Sequence, residues 1–292
     1  MSDAESISGS ALAGFDRIQL SAEDGERIAA RWIEILGAKS VRQDRLAGLN
    51  AKRLLLAIGN CHVEILQPDG AGAVQDHLAS RRGGPFAAGL ATADVDLLSR
   101  DLSSRNIGFH METDQLFLDE QQLGIAGLRL VISAEANNEP TGRLRNLYEV
   151  THLTGDAGES ADRLAEIFSL ESSHFVPIRS DAYGYEGSLT LFHPDRLDRI
   201  ETIHPYDRTK TMGRYFDRFG ASLYMCYGEC DDLPGLREHL MALAPDDWTG
   251  PREGPLDGLF IHPKVLGGVM LGVSRTTFAW SWSGSPERIR NP

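Results

Sequence analysis

The sequence predicts an α+β protein built from four similar units, each made of a strand, an amphipathic helix and further strands. The first observation is an internal repeat: residues 15–20 (FDRIQL) and 61–70 (CHVEILQPDG) have counterparts at 147–153 (LYEVTHL) and 199–207 (RIETIHPYD). The second is that nearly the same spacing separates the two members of each pair, with an amphipathic helical pattern between them. Such a repeat indicates duplication of a supersecondary unit.

In the first unit, the spacing of Ile28, Trp32 and Ile35 predicts a helix over residues 23–36, which ends before Gly37. Residues 53–66 have the pattern of a hairpin whose turn is Gly59-Asn60. The second unit follows the Gly-Gly-Pro segment at 83–85. Its predicted elements are a strand over 86–91, a helix capped by Asp94 and a strand over 127–133.

The second half repeats this order. The third unit is predicted to contain a strand at 147–153, a helix at 160–170 and strands at 188–192 and 199–203. The fourth is predicted to contain a strand at 222–229, a helix that starts at Pro234, and strands at 258–262 and 268–274. The polar segment between the halves is the best interdomain linker. The expected organisation is a flexible tail (1–11), an N-terminal domain (12–135), a linker (136–145), a C-terminal domain (146–283) and a second tail (284–292).

The composition of the chain restricts the classes of binding partner that it can have. The net charge of −13 over 292 residues argues against a nucleic acid or an anionic membrane, since both require a basic surface. No apolar run is long enough to span a bilayer, and the first residues lack the features of a signal peptide. Three cysteines are too few for a disulfide framework, so we expect a cytoplasmic location.

Four units of this kind resemble the vicinal oxygen chelate superfamily, which includes glyoxalase I, methylmalonyl-CoA epimerase, extradiol dioxygenases and bleomycin-resistance proteins. The best local matches are residues 63–68 (VEILQP) and 260–271 (FIHPKVLGGVML). The resemblance implies four βαβββ modules paired into two cup-shaped domains. It also implies up to four ligand positions in each cup, where His, Glu or Gln side chains hold a divalent metal.

When this sequence is aligned with those ligand positions, several of the expected metal ligands are replaced by other residues. In the N-terminal cup the four positions correspond to Arg17, Glu64, Ala87 and Val131. An arginine stays protonated and has no lone pair for a metal, so this cup is expected to lack the metal. Arg17 and Glu64 are expected to face each other, and with His62 they are candidate substrate-binding residues.

In the C-terminal cup the corresponding residues are Glu149, Glu201, Met225 (or Tyr224 if the strand has a bulge) and Gly272. The two glutamates are the candidate catalytic residues and the only candidate metal ligands; Tyr224 and Met225 are candidate substrate-binding residues. Two carboxylates hold Mg²⁺ or Ca²⁺ weakly and suit Fe²⁺ or Zn²⁺ poorly, which leaves a weakly bound divalent metal or no metal as the alternatives.

Strand alternation assigns the nearby histidines. His152 lies three residues after Glu149, and His204 three residues after Glu201, so each histidine is expected on the face opposite its glutamate. We therefore expect structural roles for both.

The resemblance and the altered positions together predict a small-molecule enzyme with proton-transfer chemistry of the isomerase or lyase kind on an apolar or aromatic substrate. The alternatives are a non-catalytic binding protein of the bleomycin-resistance type, and a metal-dependent enzyme of the dioxygenase type. The resemblance also allows a homodimer.

Overall fold

The computed structural model describes residues 10–290, so most of the first predicted tail and the end of the second lie outside the described residues. The described part of the first half contains eight strands and four helices. In order they are β1 (Gly14–Ser21), α1 (Gly25–Leu36), β2 (Lys39–Leu46), β3 (Ala51–Ile58), β4 (Cys61–Pro68), α2 (Ala73–Arg81), β5 (Gly84–Thr92), α3 (Val95–Ser104), β6 (His110–Glu112), β7 (Gln115–Leu118), α4 (Glu120–Leu123) and β8 (Leu130–Ala134).

The second half repeats the pattern. Its elements are β9 (Asn146–Leu153), α5 (Ala157–Phe168), β10 (Val176–Ser180), β11 (Tyr185–Leu191), β12 (Arg199–Pro205), α6 (Thr211–Phe219), β13 (Ser222–Cys230), α7 (Leu233–Leu243), β14 (Trp248–Thr249), β15 (Gly258–Ile261) and β16 (Met270–Arg275). Short 3-10 helices follow Glu171, Thr277 and Ser285. No described helix is long and apolar enough to cross a membrane.

The strands form two eight-stranded sheets with matching order. The first runs β2-β3-β4-β1-β5-β8-β7-β6 and the second β10-β11-β12-β9-β13-β16-β15-β14. Each sheet therefore joins two four-stranded modules through their first strands. We call them module 1 (β1–β4), module 2 (β5–β8), module 3 (β9–β12) and module 4 (β13–β16). The predicted fold of four βαβββ modules paired into two cup-shaped domains is confirmed.

Contacts divide the chain into two compact units that cut across the sequence halves. Unit 1 contains residues 89–136 and 152–222 with the start of the chain, and unit 2 contains residues 16–88, 137–151 and 223–292. Inside unit 2 the indole of Trp32 is fully buried and donates to the carbonyl of Leu266 (3.3 Å). Inside unit 1 the guanidinium of Arg105 donates to the carbonyl of Ile167 (2.6 Å). The domain boundaries expected from the sequence stay a prediction.

The helices α1 and α5 have the same local design. Asp24 and Asp156 are their N-caps, and the side chain of each accepts a backbone N–H three residues later. Gly37 ends α1 in the left-handed conformation (φ 71°), which a glycine adopts without strain. The predicted helix α1 is confirmed, with a start two residues later than expected. The predicted start of α5 at residue 160 is wrong by three residues, because Asp156 caps the helix before its apolar stripe begins.

Candidate functional site in the modules

The candidate residues of module 1 lie on the inner face of the module, the face of its strands opposite α1. The side chains of Leu54 and Ile65 face Gly25 of α1, so Glu64, next along β4, points to the inner face. Strands β1 and β4 are parallel, with Arg17 beside His62 and Gln19 beside Glu64. This register places all four of these polar side chains on the inner face.

Glu64 is fully buried and is bound on several sides. Its carboxylate accepts hydrogen bonds from Nη1 of Arg17 (2.6 Å), from Nε2 of Gln19 (2.7 Å) and from Nη1 of Arg53 (3.4 Å). The predicted pairing of Arg17 with Glu64 is confirmed. A buried carboxylate with three donors is well compensated.

Two further carboxylates complete this arrangement. Arg17 also pairs with Asp16 (2.6 Å), and the fully buried Arg53 pairs with Asp44 (2.7 Å). We call Asp16, Arg17, Asp44, Arg53 and Glu64 the ion cluster of module 1.

The pKa values explain why the ion cluster stays charged. Burial lowers the pKa of Arg17, but the carboxylates of Asp16 and Glu64 raise it by more, and the net shift is upward. The pKa of Arg53 is raised in the same way against burial, by Asp44 and Glu64. Hydrogen bonds from Arg53 lower the pKa of Asp44. The two guanidiniums thus remain cations.

His62 lies beside the ion cluster and is half-buried. Burial lowers its pKa, and the charge of Arg17 lowers it further. The neutral imidazole is therefore the stable form at neutral pH. Its Nδ1 is buried and has no hydrogen-bond partner among residues 10–290.

In module 3, Glu149 occupies the position of Arg17, and Glu201 that of Glu64. Both are buried, with exposed fractions of 1% and 4%. Glu149 belongs to unit 2 and Glu201 to unit 1. Thr202 donates to the carbonyl of Ala157 in α5, so Glu201 points to the inner face of the module.

Within unit 2, Glu149 lies near the thiol of Cys226. Burial raises the pKa of Cys226, and the charge of Glu149 raises it further, so the thiol stays protonated. Tyr224 shares a strand face with Cys226, whereas Met225 and Tyr227 point to the other face. The ring of Tyr227 lies over Gly272. Of the two residues expected at the third position, Tyr224 therefore shares the side of Glu149, whereas Met225 does not. Gly272, expected at the fourth position, lies on the same side as Met225.

The two histidines have different surroundings. His152 is fully buried, and its Nε2 lies 2.8 Å from the carbonyl oxygen of Ala126 in unit 1. Burial lowers the pKa of His152 to about 4, so it is neutral at physiological pH. These are the contacts of a structural residue, as strand alternation predicts. His204 is part-exposed and lies 3.5 Å from a carboxylate oxygen of Glu186.

Sequence reasoning missed Gln19, Arg53 and Asp44. Gln19 follows Arg17 by two residues and had to share its face, which was a usable signal. The sequence gives no such signal for Arg53 and Asp44, because their ion pair depends on the pairing of β2 with β3, and β2 was not predicted.

The donor set of module 1 does not fit the metal that the fold family implies. The first ligand position carries a guanidinium, and the carboxylate of Glu64 is taken by three donors. Across residues 10–290, no three or more His, Cys, Asp or Glu side chains lie together as a metal site would require. The residues of module 1 therefore do not fit the metal, and no step is derived through one.

Comparison with known proteins shows the fold. No protein-family model matches the chain, and no curated protein matches it. A triple mutant of 4-hydroxymandelate synthase from Streptomyces coelicolor is similar over 95% of this chain and 100% of its own, with a TM-score of 0.67 and 12% identity. A methylmalonyl-CoA epimerase from Mycobacterium tuberculosis covers 46% of this chain and 97% of its own, with a TM-score of 0.38 and 17% identity. The first likeness confirms the vicinal oxygen chelate fold along nearly the whole chain.

Proposed function

We propose that this protein is a small-molecule enzyme of the vicinal oxygen chelate fold that transfers protons without the metal of that fold. The observation that carries the proposal is the burial of two carboxylates, Glu149 and Glu201, at corresponding positions of the inner face of module 3. A positioned carboxyl group shielded from water is a common general acid or base in enzymes.

The surroundings of Glu149 support this role. The thiol of Cys226 beside it is kept protonated by burial, so it does not act as a nucleophile. Glu149 then remains as the acid-base group on that side of the strand. Tyr224 on the same face supplies an aromatic ring and a hydroxyl, which suits an apolar or aromatic substrate with a polar anchor.

Glu201 is the second candidate and is tested independently. It lies in unit 1, opposite Leu189 of β11 and two residues from the fully buried Arg199. The reaction class we propose is isomerisation or elimination, in which a carboxylate removes a proton from carbon and returns it. A non-catalytic binding protein is the alternative, because the ion cluster shows that inner-face positions of this fold also serve structure.

The test measures proton exchange directly. The protein is incubated in D₂O with a panel of small ketones and 2-oxo acids, and deuterium incorporation next to the carbonyl is followed by ¹H NMR. We expect exchange for at least one compound and a loss of about 100-fold in Glu149→Gln, the usual size of a general-base contribution. Glu201→Gln is measured in the same way. Glu159→Gln, an exposed change on α5, is the matched control and should leave exchange unchanged.

Three other outcomes would contradict the proposal. Exchange that survives in both glutamate variants would remove the carboxylates from the mechanism. Binding of panel compounds without exchange would favour the binding protein. Near-stoichiometric metal in chelator-free protein, measured by plasma mass spectrometry and lost in both variants, would favour the metal-dependent alternative.

A further inference from the structure

Module 3 has a cavity of about 430 Å³ beside the start of α5. Its walls include Ala157, Gly158, Pro177, Ser188 and His204, all within unit 1. It opens on the face of the sheet that carries α5, the face opposite Glu201. Its volume falls in the range of small-molecule sites, about 300–1,000 Å³.

The same place in module 1 is filled by side chains. Leu54 lies opposite Ile65 in β4, two residues before Gln67, as Ser188 lies opposite Thr202, two residues before His204. In module 1 the Oε1 of Gln67 accepts from the backbone N–H of Gly25 (3.1 Å). Leu54 also packs against Gly25.

A second pair of residues fills the rest of this space in module 1. Gln43, opposite Leu54 in β2, donates through Nε2 to Glu26 of α1 (2.7 Å). The counterparts in module 3 are Pro177, opposite Ser188, and Gly158 of α5. A proline ring and a glycine cannot form that bond, and serine is smaller than leucine. Module 3 is therefore hollow where module 1 is packed.

The polar groups of the cavity define its ligand. Arg179 pairs with Glu186 (2.5 Å) and Asp181 (2.9 Å), so the charges of the wall are compensated within the protein. Nε2 of His204 lies toward Glu186, and its Nδ1 is buried with no hydrogen-bond partner in the described part of the chain. Because this Nδ1 has no exposed surface, it does not reach a ligand in the cavity. Ser188 offers a hydroxyl.

We propose that this cavity binds a small, neutral, largely apolar molecule with one hydroxyl group. That hydroxyl forms a hydrogen bond with the hydroxyl of Ser188. The paired charges disfavour an ion, and the apolar surface of Pro177 receives the body of the molecule. The site is separate from Glu149 and Glu201, so it is tested independently of the proposed function.

The test is an NMR titration of the ¹⁵N-labelled full chain with phenol, with toluene and benzoate as probes that lack the hydroxyl or carry a charge. We expect saturable shifts at the amides of Ala157, Gly158, Ser188 and His204, with a Kd for phenol on the order of 1 mM. Toluene and benzoate should bind about tenfold more weakly or worse. Equal or tighter binding of either, or no saturable shift at these amides, would overturn the proposal.

Ser188→Leu and His204→Gln introduce the residues that module 1 carries, and each should weaken phenol binding about tenfold or more. Ser40→Leu, the same change as the first but at an exposed position of β2, should leave binding unchanged. If Ser188→Leu lowers the melting temperature strongly, phenol binding by the His204→Gln variant alone tests the proposal. Unchanged affinity in the folded variants contradicts the assignment. Glu149→Gln should bind phenol as the wild type does.

Discussion

Modules 1 and 3 share one backbone plan but use it in different ways. In module 1 the inner face is fixed by the ion cluster, and the space beside α1 is packed with Leu54 and Gln67. In module 3 the corresponding inner positions carry Glu149 and Glu201, and the space beside α5 is open. The comparison shows one module whose inner face is filled by ion pairs, and a second module that contains the positions on which the proposed chemistry and binding depend.

The largest expected effect is on the ion cluster. Glu64→Gln leaves Arg17 and Arg53 buried with less compensating charge, and it should lower the free energy of unfolding by about 3–5 kcal/mol. Urea denaturation measures this, with Glu238→Gln at an exposed position of α7 as the control, expected within about 0.5 kcal/mol of wild type. A change in Glu64→Gln below about 1 kcal/mol would show that the cluster is well solvated and not a structural centre.

The second effect compares the packed and the open position directly. Leu54→Ser removes a buried side chain and puts a hydroxyl in its place, so it should cost about 2–4 kcal/mol. The reciprocal change Ser188→Leu fills an open cavity and should change stability by less than about 1 kcal/mol. Thermal unfolding of the two variants in parallel measures both. Similar losses in both would mean that module 3 is as tightly packed as module 1.

These contrasts also show how far the sequence predicts the structure. Apolar spacing and Gly37 were enough to predict α1, and Asp94 with apolar spacing was enough to predict α3, because local chemistry decides where such helices begin and end. Strand β2 (Lys39–Leu46) was missed, since it is mostly exposed on both faces and has no apolar alternation.

The candidate functional site was likewise predictable only in part. The resemblance predicted that Arg17 and Glu64 face each other, and the hydrogen bond between them (2.6 Å) confirms this. The ion pair of Arg53 with Asp44 depends on strand pairing that no local sequence pattern encodes. The cavity of module 3 was not predictable, because it is defined by the small residues Gly158 and Ser188 at positions where module 1 has larger side chains. Such small residues have meaning only beside the filled positions of module 1.

The third prediction concerns position 152, where module 1 has the buried Leu20 instead. The pKa of His152 is lowered to about 4, against about 6.5 in an unfolded chain. The unfolded state therefore binds a proton first as the pH falls, and the protein loses stability between about pH 6.5 and pH 4. From pH 7 to pH 5 this loss should be about 2 kcal/mol.

His152→Leu should remove that part of the pH dependence, although it also leaves the carbonyl of Ala126 without its partner. The measurement is urea denaturation of wild type and variant at pH 7 and pH 5. The test is the difference between the two pH slopes, which other titrating groups do not affect. Equal slopes would mean that water reaches His152 and that its pKa is not lowered.

The smallest effect tests what the two modules share. Asp24 and Asp156 cap α1 and α5 with the same hydrogen bond, at 2.9 Å and 3.0 Å. Asp24→Ala and Asp156→Ala should each lower the free energy of unfolding by about 1 kcal/mol, because each leaves a backbone N–H of the first helical turn without its acceptor. Asp96→Ala, in the first turn of α3 and outside its cap, is the control. A loss at Asp156 well below that at Asp24 would mean that the open cavity lets water replace the cap in module 3, and the difference between the modules would then extend to the helix itself.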